Sequence, residues 1–128
     1  MWKLSRRSKA NRAGVDQKLI DICDRALAIS TIDFGIPSSG GIRTAAEQLA
    51  LFKDSKSLCD GVDKKSKHQS GRALDFYAYV DGMASWDEAH LTTVAAAFLQ
   101  AASELGYQLK WGGHWTSFRD MPHVQLYD

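Results

Sequence analysis

Helix-like and strand-like segments do not alternate along this chain, and that order constrains its fold more than any other feature. Leu19, Ile22, Cys23, Ala26 and Leu27 recur at helical spacing, which predicts a helix over 16–30. A longer helix is predicted from the stripe Leu91, Val94, Ala95, Phe98, Leu99, Ala102 and Leu105. Ser85–Trp86–Asp87–Glu88 reads as its capping box and Gly106 as its C-terminal cap. Thr44–Ala45–Ala46–Glu47 is another capping box, opening a short helix towards Phe52. Strand-like runs fall at 34–38, 73–80, 107–111 and 123–127, and the turn pair Asp81–Gly82 follows the second of them. This order argues against a doubly wound parallel sheet. It predicts an α+β domain, with helices packed on a small, mostly antiparallel sheet.

The 128 residues, 45% hydrophobic and 24% charged, supply one core and predict a single domain over 1–128 with no separate binding module. A net charge of +1 gives no electrostatic basis for a nucleic-acid partner. Basic residues do cluster at Lys3, Arg6, Arg7, Lys9 and Arg12, and again at Lys53, Lys56, Lys64, Lys65 and Lys67. A solvated surface is the preferred reading of both clusters. The alternative, weak attraction to an anionic polymer, would show as a steep loss of binding with salt.

No apolar run approaches the ~20 residues needed to cross a bilayer, so membrane insertion is not expected. The basic N-terminus lacks the apolar stretch of a signal peptide, which predicts synthesis in the cytoplasm. Cys23 lies on the apolar side of its helix and is expected to be a buried free thiol. Residues 53–67, rich in Lys, Ser and Asp, read as a long exposed loop of the kind that forms lids or binding walls.

Three polar features stand out against this frame. In Ser66–Lys67–His68–Gln69–Ser70–Gly71–Arg72–Ala73–Leu74–Asp75–Phe76, strand alternation puts Asp75 opposite Leu74 and Phe76, and Gly71 lets the chain turn so that His68 folds back beside it. In Asp120–Met121–Pro122–His123, the strand that follows puts His123 and Gln125 on one face, with Val124 and Leu126 on the other. Arg43 sits between the glycine turn Ser39–Gly40–Gly41 and a helix start. Two His and one carboxylate suffice for a catalytic zinc, which keeps a fourth position for water. Asp120 is the natural candidate for the general base. Each residue alone also has an ordinary reading: His68 in an exposed loop, Asp75 in a salt bridge, His123 hydrogen-bonded at a strand start.

The motifs as a set resemble a known family. Ser66-x-His68-x-x-Gly71-x-Ala73-x-Asp75–Phe76 resembles the first zinc motif of the LAS metallopeptidases, the D-Ala-D-Ala carboxypeptidase type. Trp111–Gly112–Gly113–His114–Trp115, with Phe118-x-Asp120-x-x-His123–Val124–Gln125–Leu126, is similar to the second motif of the L-alanyl-D-glutamate endopeptidase branch, which includes phage endolysins. Ser39–Gly40–Gly41–Ile42–Arg43–Thr44 through Gln48 resembles the upstream Gly-x-Arg segment of the same branch, and the opening Leu4–Ser5–Arg6–Arg7–Ser8 looks like its start.

The resemblance implies the hedgehog and D-Ala-D-Ala peptidase fold, Zn2+ held by His68, Asp75 and His123, and Asp120 as catalytic base. Arg43 would hold a substrate carboxylate or the oxyanion, and Ser66, His114 and Trp115 would lie on the substrate side. The implied substrate is the peptidoglycan stem peptide, cut at the L-alanyl-D-glutamate bond by a monomer that reaches the wall after holin-type release. Rival readings are a D,D-dipeptidase or D,D-carboxypeptidase with the same zinc site, and a non-catalytic zinc-containing domain. Many relatives carry an acidic residue where His114 stands and Glu where Gln125 stands. The loop aromatics Trp111 and Trp115 read equally as a cleft wall or as edge packing.

Overall fold

The computed structural model describes residues 1–127. Its elements run α1 (Arg6–Asn11), α2 (Gln17–Ile29), β1 (Asp33–Gly35), α3 (Ala45–Lys53), β2 (Ala73–Asp75), β3 (Tyr77–Val80), β4 (Met83–Ser85), α4 (Glu88–Leu105), β5 (Leu109–Trp111) and β6 (His123–Leu126). Short 3₁₀ turns occupy Lys67–Ser70 and Gly112–His114. The chain is α+β with antiparallel pairing throughout its sheets.

The strands form two three-stranded sheets rather than one, ordered β1–β3–β4 and β2–β6–β5. The run read as one strand over 73–80 breaks at Phe76, which marks the passage from one sheet to the other. Its N–H donates to the carbonyl of Pro122, 2.9 Å away. Its ring stacks on Phe98 of α4 at 5.1 Å, and Phe98 in turn meets Phe34 of β1 at 5.1 Å. Phe76 therefore belongs to the core shared by both sheets. Periodicity alone does not register such a break, because Leu74, Phe76 and Ala78 are all fully buried, as one continuous strand would have them.

Helices α2 and α4 pack on each other and close the core. Asp16 caps α2 by accepting from the Lys18 N–H, and Gly106 ends α4. The cap of α4 is Asp87, whose carboxylate accepts from the Ala89 N–H, and not Ser85; Ser85 Oγ instead accepts from Asp87 N–H. In α4, Leu105 is exposed and Ala97 and Ala101 are buried, so the buried stripe is rotated from the one drawn on the sequence. Helix α1 and strand β4 have no counterpart in the sequence reading. Among six residues, α1 buries only Ser8, whose hydroxyl accepts from the Ile36 N–H, so it offers no apolar period to detect. Cys23 and Cys59 are both free, and burial pushes the Cys23 thiol up to about 12.

Candidate active site

The sheet β2–β6–β5 builds the site through its register. Asp75 of β2 lies directly opposite His123 of β6, and Ala73 lies opposite Gln125. Directly paired residues project from the same face with Cβ atoms about 5 Å apart. The pairing alone therefore brings a carboxylate and an imidazole together and sets Gln125 on the same face.

His68 arrives from the 3₁₀ turn before β2. Ser66 caps that turn by accepting from the His68 N–H, and Gln69 closes the reciprocal bond to the Ser66 N–H. Gly71 ends it at φ 72°, a conformation that glycine adopts without strain, and the chain then enters β2. His68 Nε2 comes to 3.2 Å from Asp75 Oδ1 and 3.3 Å from His123 Nδ1, and His123 Nδ1 is 3.0 Å from Asp75 Oδ1.

These separations fit a metal. A tetrahedral zinc with ligands at about 2.0–2.1 Å needs donor atoms about 3.3 Å apart. The three donors thus form one face of such a tetrahedron. The far nitrogens fit as well: His68 Nδ1 lies 2.9 Å from the Gly41 carbonyl, and His123 Nε2 lies 2.8 Å from Gln125 Oε1. Each acceptor takes a ring N–H, which leaves the lone pair of the other nitrogen for a ligand. His68, Asp75 and His123 are the one such group among the described residues.

Arg43 is part of the same assembly. Its Nη2 donates to Asp75 Oδ2 at 2.8 Å, its Nε to the Ser39 carbonyl at 2.8 Å and its Nη1 to Gln48 Oε1 at 3.1 Å. Three of its five N–H groups are used in this way, so the guanidinium holds Asp75 while still bordering the cleft.

Charge follows this geometry. Burial pushes the Asp75 carboxyl up, but the two imidazoles outweigh it and hold it well below the usual carboxylate range. Burial opposes protonation of His123, yet the bond to Asp75 prevails and raises it. Asp120 is pushed up, by burial first and by the Asp75 charge second. Its Oδ2 is 3.8 Å from His123 Nδ1. Gly112 places it: the Gly112 carbonyl accepts from the Asp120 N–H, and a Cβ at 112 would collide with the Asp120 carbonyl.

The site opens into a cleft of about 390 Å³. Ser66, Trp115, Phe118 and Asp120 line it together with the three donors, and Trp115 lies 5.2 Å from the His123 ring. Phe118 holds its exposed ring at the rim with φ 47°, a conformation costing an L residue about 1 kcal/mol. Trp111 turns inward instead, its Nε1 donating to the Met121 carbonyl. His114 is exposed, packs edge-on against Trp111 at 4.9 Å and does not line the cleft.

The family described as phage L-alanyl-D-glutamate peptidase matches residues 1–126. This chain belongs to that family. It is 34% identical over 120 residues to the L-alanyl-D-glutamate peptidase of Escherichia phage T5, covering 93% of this chain and 85% of that one. Among solved structures it matches the Serratia marcescens L-Ala D-Glu endopeptidase ChiX, with a TM-score of 0.85 and 31% identity, covering 98% of this chain and 90% of that one. The chain is accordingly a peptidase of this type, and no helix among its described residues is long and apolar enough to cross a membrane.

Two contributors escaped the sequence reading. The Gly41 carbonyl carries no residue-type signal at all. Gln48, fully buried beneath the site, is the one buried residue of α3, where a Gln is expected to face solvent; only its place in the segment following Arg43 hinted at more.

Proposed function

We propose that this chain is a zinc-dependent endopeptidase that cuts the L-alanyl-D-glutamate bond of the peptidoglycan stem peptide. The observation that carries the reading is the triangle of His68 Nε2, His123 Nδ1 and Asp75 Oδ1 at 3.0–3.3 Å, with both far imidazole nitrogens already satisfied. Bound there, zinc would act as a Lewis acid towards water and the scissile carbonyl.

The chain's own groups do the rest. Asp120, on the cleft wall beside the donors, takes a proton from the attacking water and returns it to the leaving amine nitrogen. Its burial favours this shuttle by making the carboxylate more basic than one in water. Arg43 keeps Asp75 oriented, Gln125 and Gly41 keep both imidazoles in the tautomer a metal requires, and Trp115 shields the site from one side. Ser66, as the cap of the His68 turn, positions that ligand and borders the substrate space.

Membership of a phage peptidase family supports a lytic setting, and within that setting we propose a monomer made in the host cytoplasm that reaches the wall by holin-type release. Digestion of purified wall with and without a chelator, followed by mass analysis of the new ends, tests the reading. New L-alanine carboxyl and D-glutamate amino termini that vanish on chelation are expected. D-alanine release, or cleavage indifferent to chelation, would contradict it.

A further inference from the structure

The metal site accounts for one side of the cleft; the other is the loop between α3 and the His68 turn, and it is a built wall. Asp60 Oδ1 accepts from the N–H groups of Val62, Asp63 and Lys64 at 2.9, 3.0 and 3.0 Å. Gly61 N–H donates to the Lys64 carbonyl, and Gln69 Nε2 donates to the Gly61 carbonyl. Gln48 Nε2 ties down Ser57 and Cys59 from beneath. The backbone from 57 to 64 is therefore fixed by side chains rather than by a strand or helix.

From this wall Lys56, Lys64 and Lys65 face the cleft. All three are exposed, and their ammonium groups make no hydrogen bond or ion pair among the described residues. Of the other charged groups lining the cleft, Arg43 is paired with Asp75 and Lys67 has a partner of its own, which sets these three lysines against the single carboxylate of Asp120. Asp75 is already taken by Arg43 and the imidazoles. In a chain of net charge +1, this is a local excess of positive charge at the place where substrate must lie. Such an excess attracts anions and discriminates against neutral analogues of the same shape.

We propose that Lys56, Lys64 and Lys65 form the subsite for a free carboxylate of the substrate, namely the α-carboxylate of the D-glutamate beside the scissile bond. This rests on the stem-peptide reading above. That residue supplies the scissile nitrogen and continues the stem through its side-chain carboxyl, which leaves its α-carboxylate ionised. One residue spans ~3.5 Å of extended chain, so the charge stays close to the reacting bond and within the cleft.

Two stem peptides that differ only in this group, one with the α-carboxylate and one with the α-carboxamide, test the subsite on the zinc-loaded protein. The carboxylate peptide is expected to give a kcat/KM on the order of tenfold higher, mainly through KM, with a gap that narrows as salt is added. In the triple variant Lys56→Gln, Lys64→Gln, Lys65→Gln, checked for zinc content and melting temperature, the ratio is expected to approach one. A triple variant that keeps the wild-type ratio, or a wild type that treats both peptides alike, overturns the subsite. If the wild type cuts neither peptide, the endopeptidase reading fails, and calorimetric binding of the two peptides then reads the subsite alone. Tighter carboxylate binding that the triple variant loses supports it, and equal binding rejects it.

Discussion

Arg43 grips one oxygen of Asp75, Nη2 to Oδ2 at 2.8 Å, and leaves the other oxygen to face His68 and His123. The carboxylate is thereby fixed as a one-oxygen donor whose second oxygen is spoken for. A lysine at 43 would keep the charge but could not also reach the Ser39 carbonyl and Gln48. Arg43→Lys is expected to weaken zinc binding about 10–100-fold, the usual effect of losing a group that orients a ligand. Competition with a calibrated chelator measures this, and wild-type affinity in the variant would show that Arg43 acts elsewhere.

Asp120 touches no partner that a structural zinc would need; its oxygen stands 3.8 Å from His123 Nδ1 at the cleft wall. Asp120→Asn preserves the shape and removes the base. Zinc content should stay near one per chain while kcat falls on the order of 10²–10⁴-fold. His68→Ala and His123→Ala should lose both metal and turnover. Turnover in Asp120→Asn within a fewfold of wild type would remove Asp120 from the mechanism.

In the metal-free protein, Asp75 and His123 stabilise each other as an ion pair. Asp75 is held low, burial notwithstanding, by the imidazoles; its contribution is complete above the ordinary carboxylate value of about 4 and is lost as pH falls. His123 is raised, burial being outweighed by Asp75; its contribution is complete below the ordinary imidazole value of about 6.5 and is lost as pH rises through the higher folded value. The melting temperature of the stripped protein should therefore be highest between about pH 4 and 6.5. Zinc requires unprotonated imidazoles, so the stabilisation it adds should grow across the same range and beyond. Parallel melting curves with and without zinc check both trends, and a stripped protein that grows steadily more stable from pH 6 to 9 would contradict the first.

The shared face of Asp75 and His123 was legible because strands announce their faces, whereas His68 lies in a turn and its grouping with them was implied by the resemblance. Asp75 between Leu74 and Phe76, and His123 beside Val124, are polar interruptions whose sidedness alternation settles, and a paired register then only has to bring two such faces together. The two-sheet division was not legible, since the hydrophobic pattern runs through Phe76 without a mark. Arg43 was recognised as important from its surroundings, but its direction depends on Asp75, 32 residues away, and no local rule fixes it. The lysines of the middle loop read as solvated surface because nothing in their spacing shows that Asp60 and Gln48 fold the loop into a wall.

Gln48 joins the two halves of the cleft. Fully buried, it accepts from Arg43 Nη1 at 3.1 Å through Oε1 and donates through Nε2 to Ser57 Oγ at 2.8 Å and the Cys59 carbonyl at 2.9 Å. Its carbonyl side thus serves the metal clamp and its amide side the loop wall, and substitutions can separate them. Gln48→Glu keeps an acceptor for Arg43 but offers the loop no donor. It is expected to bind zinc nearly as the wild type does while KM rises several-fold. Gln48→Ala strands partners on both sides at a cost of about 1–3 kcal/mol in stability, and should weaken zinc binding as well as raise KM. Chelator competition and steady-state kinetics on the two variants distinguish these effects. If Gln48→Glu leaves KM untouched, the loop does not depend on this residue for its place in the cleft.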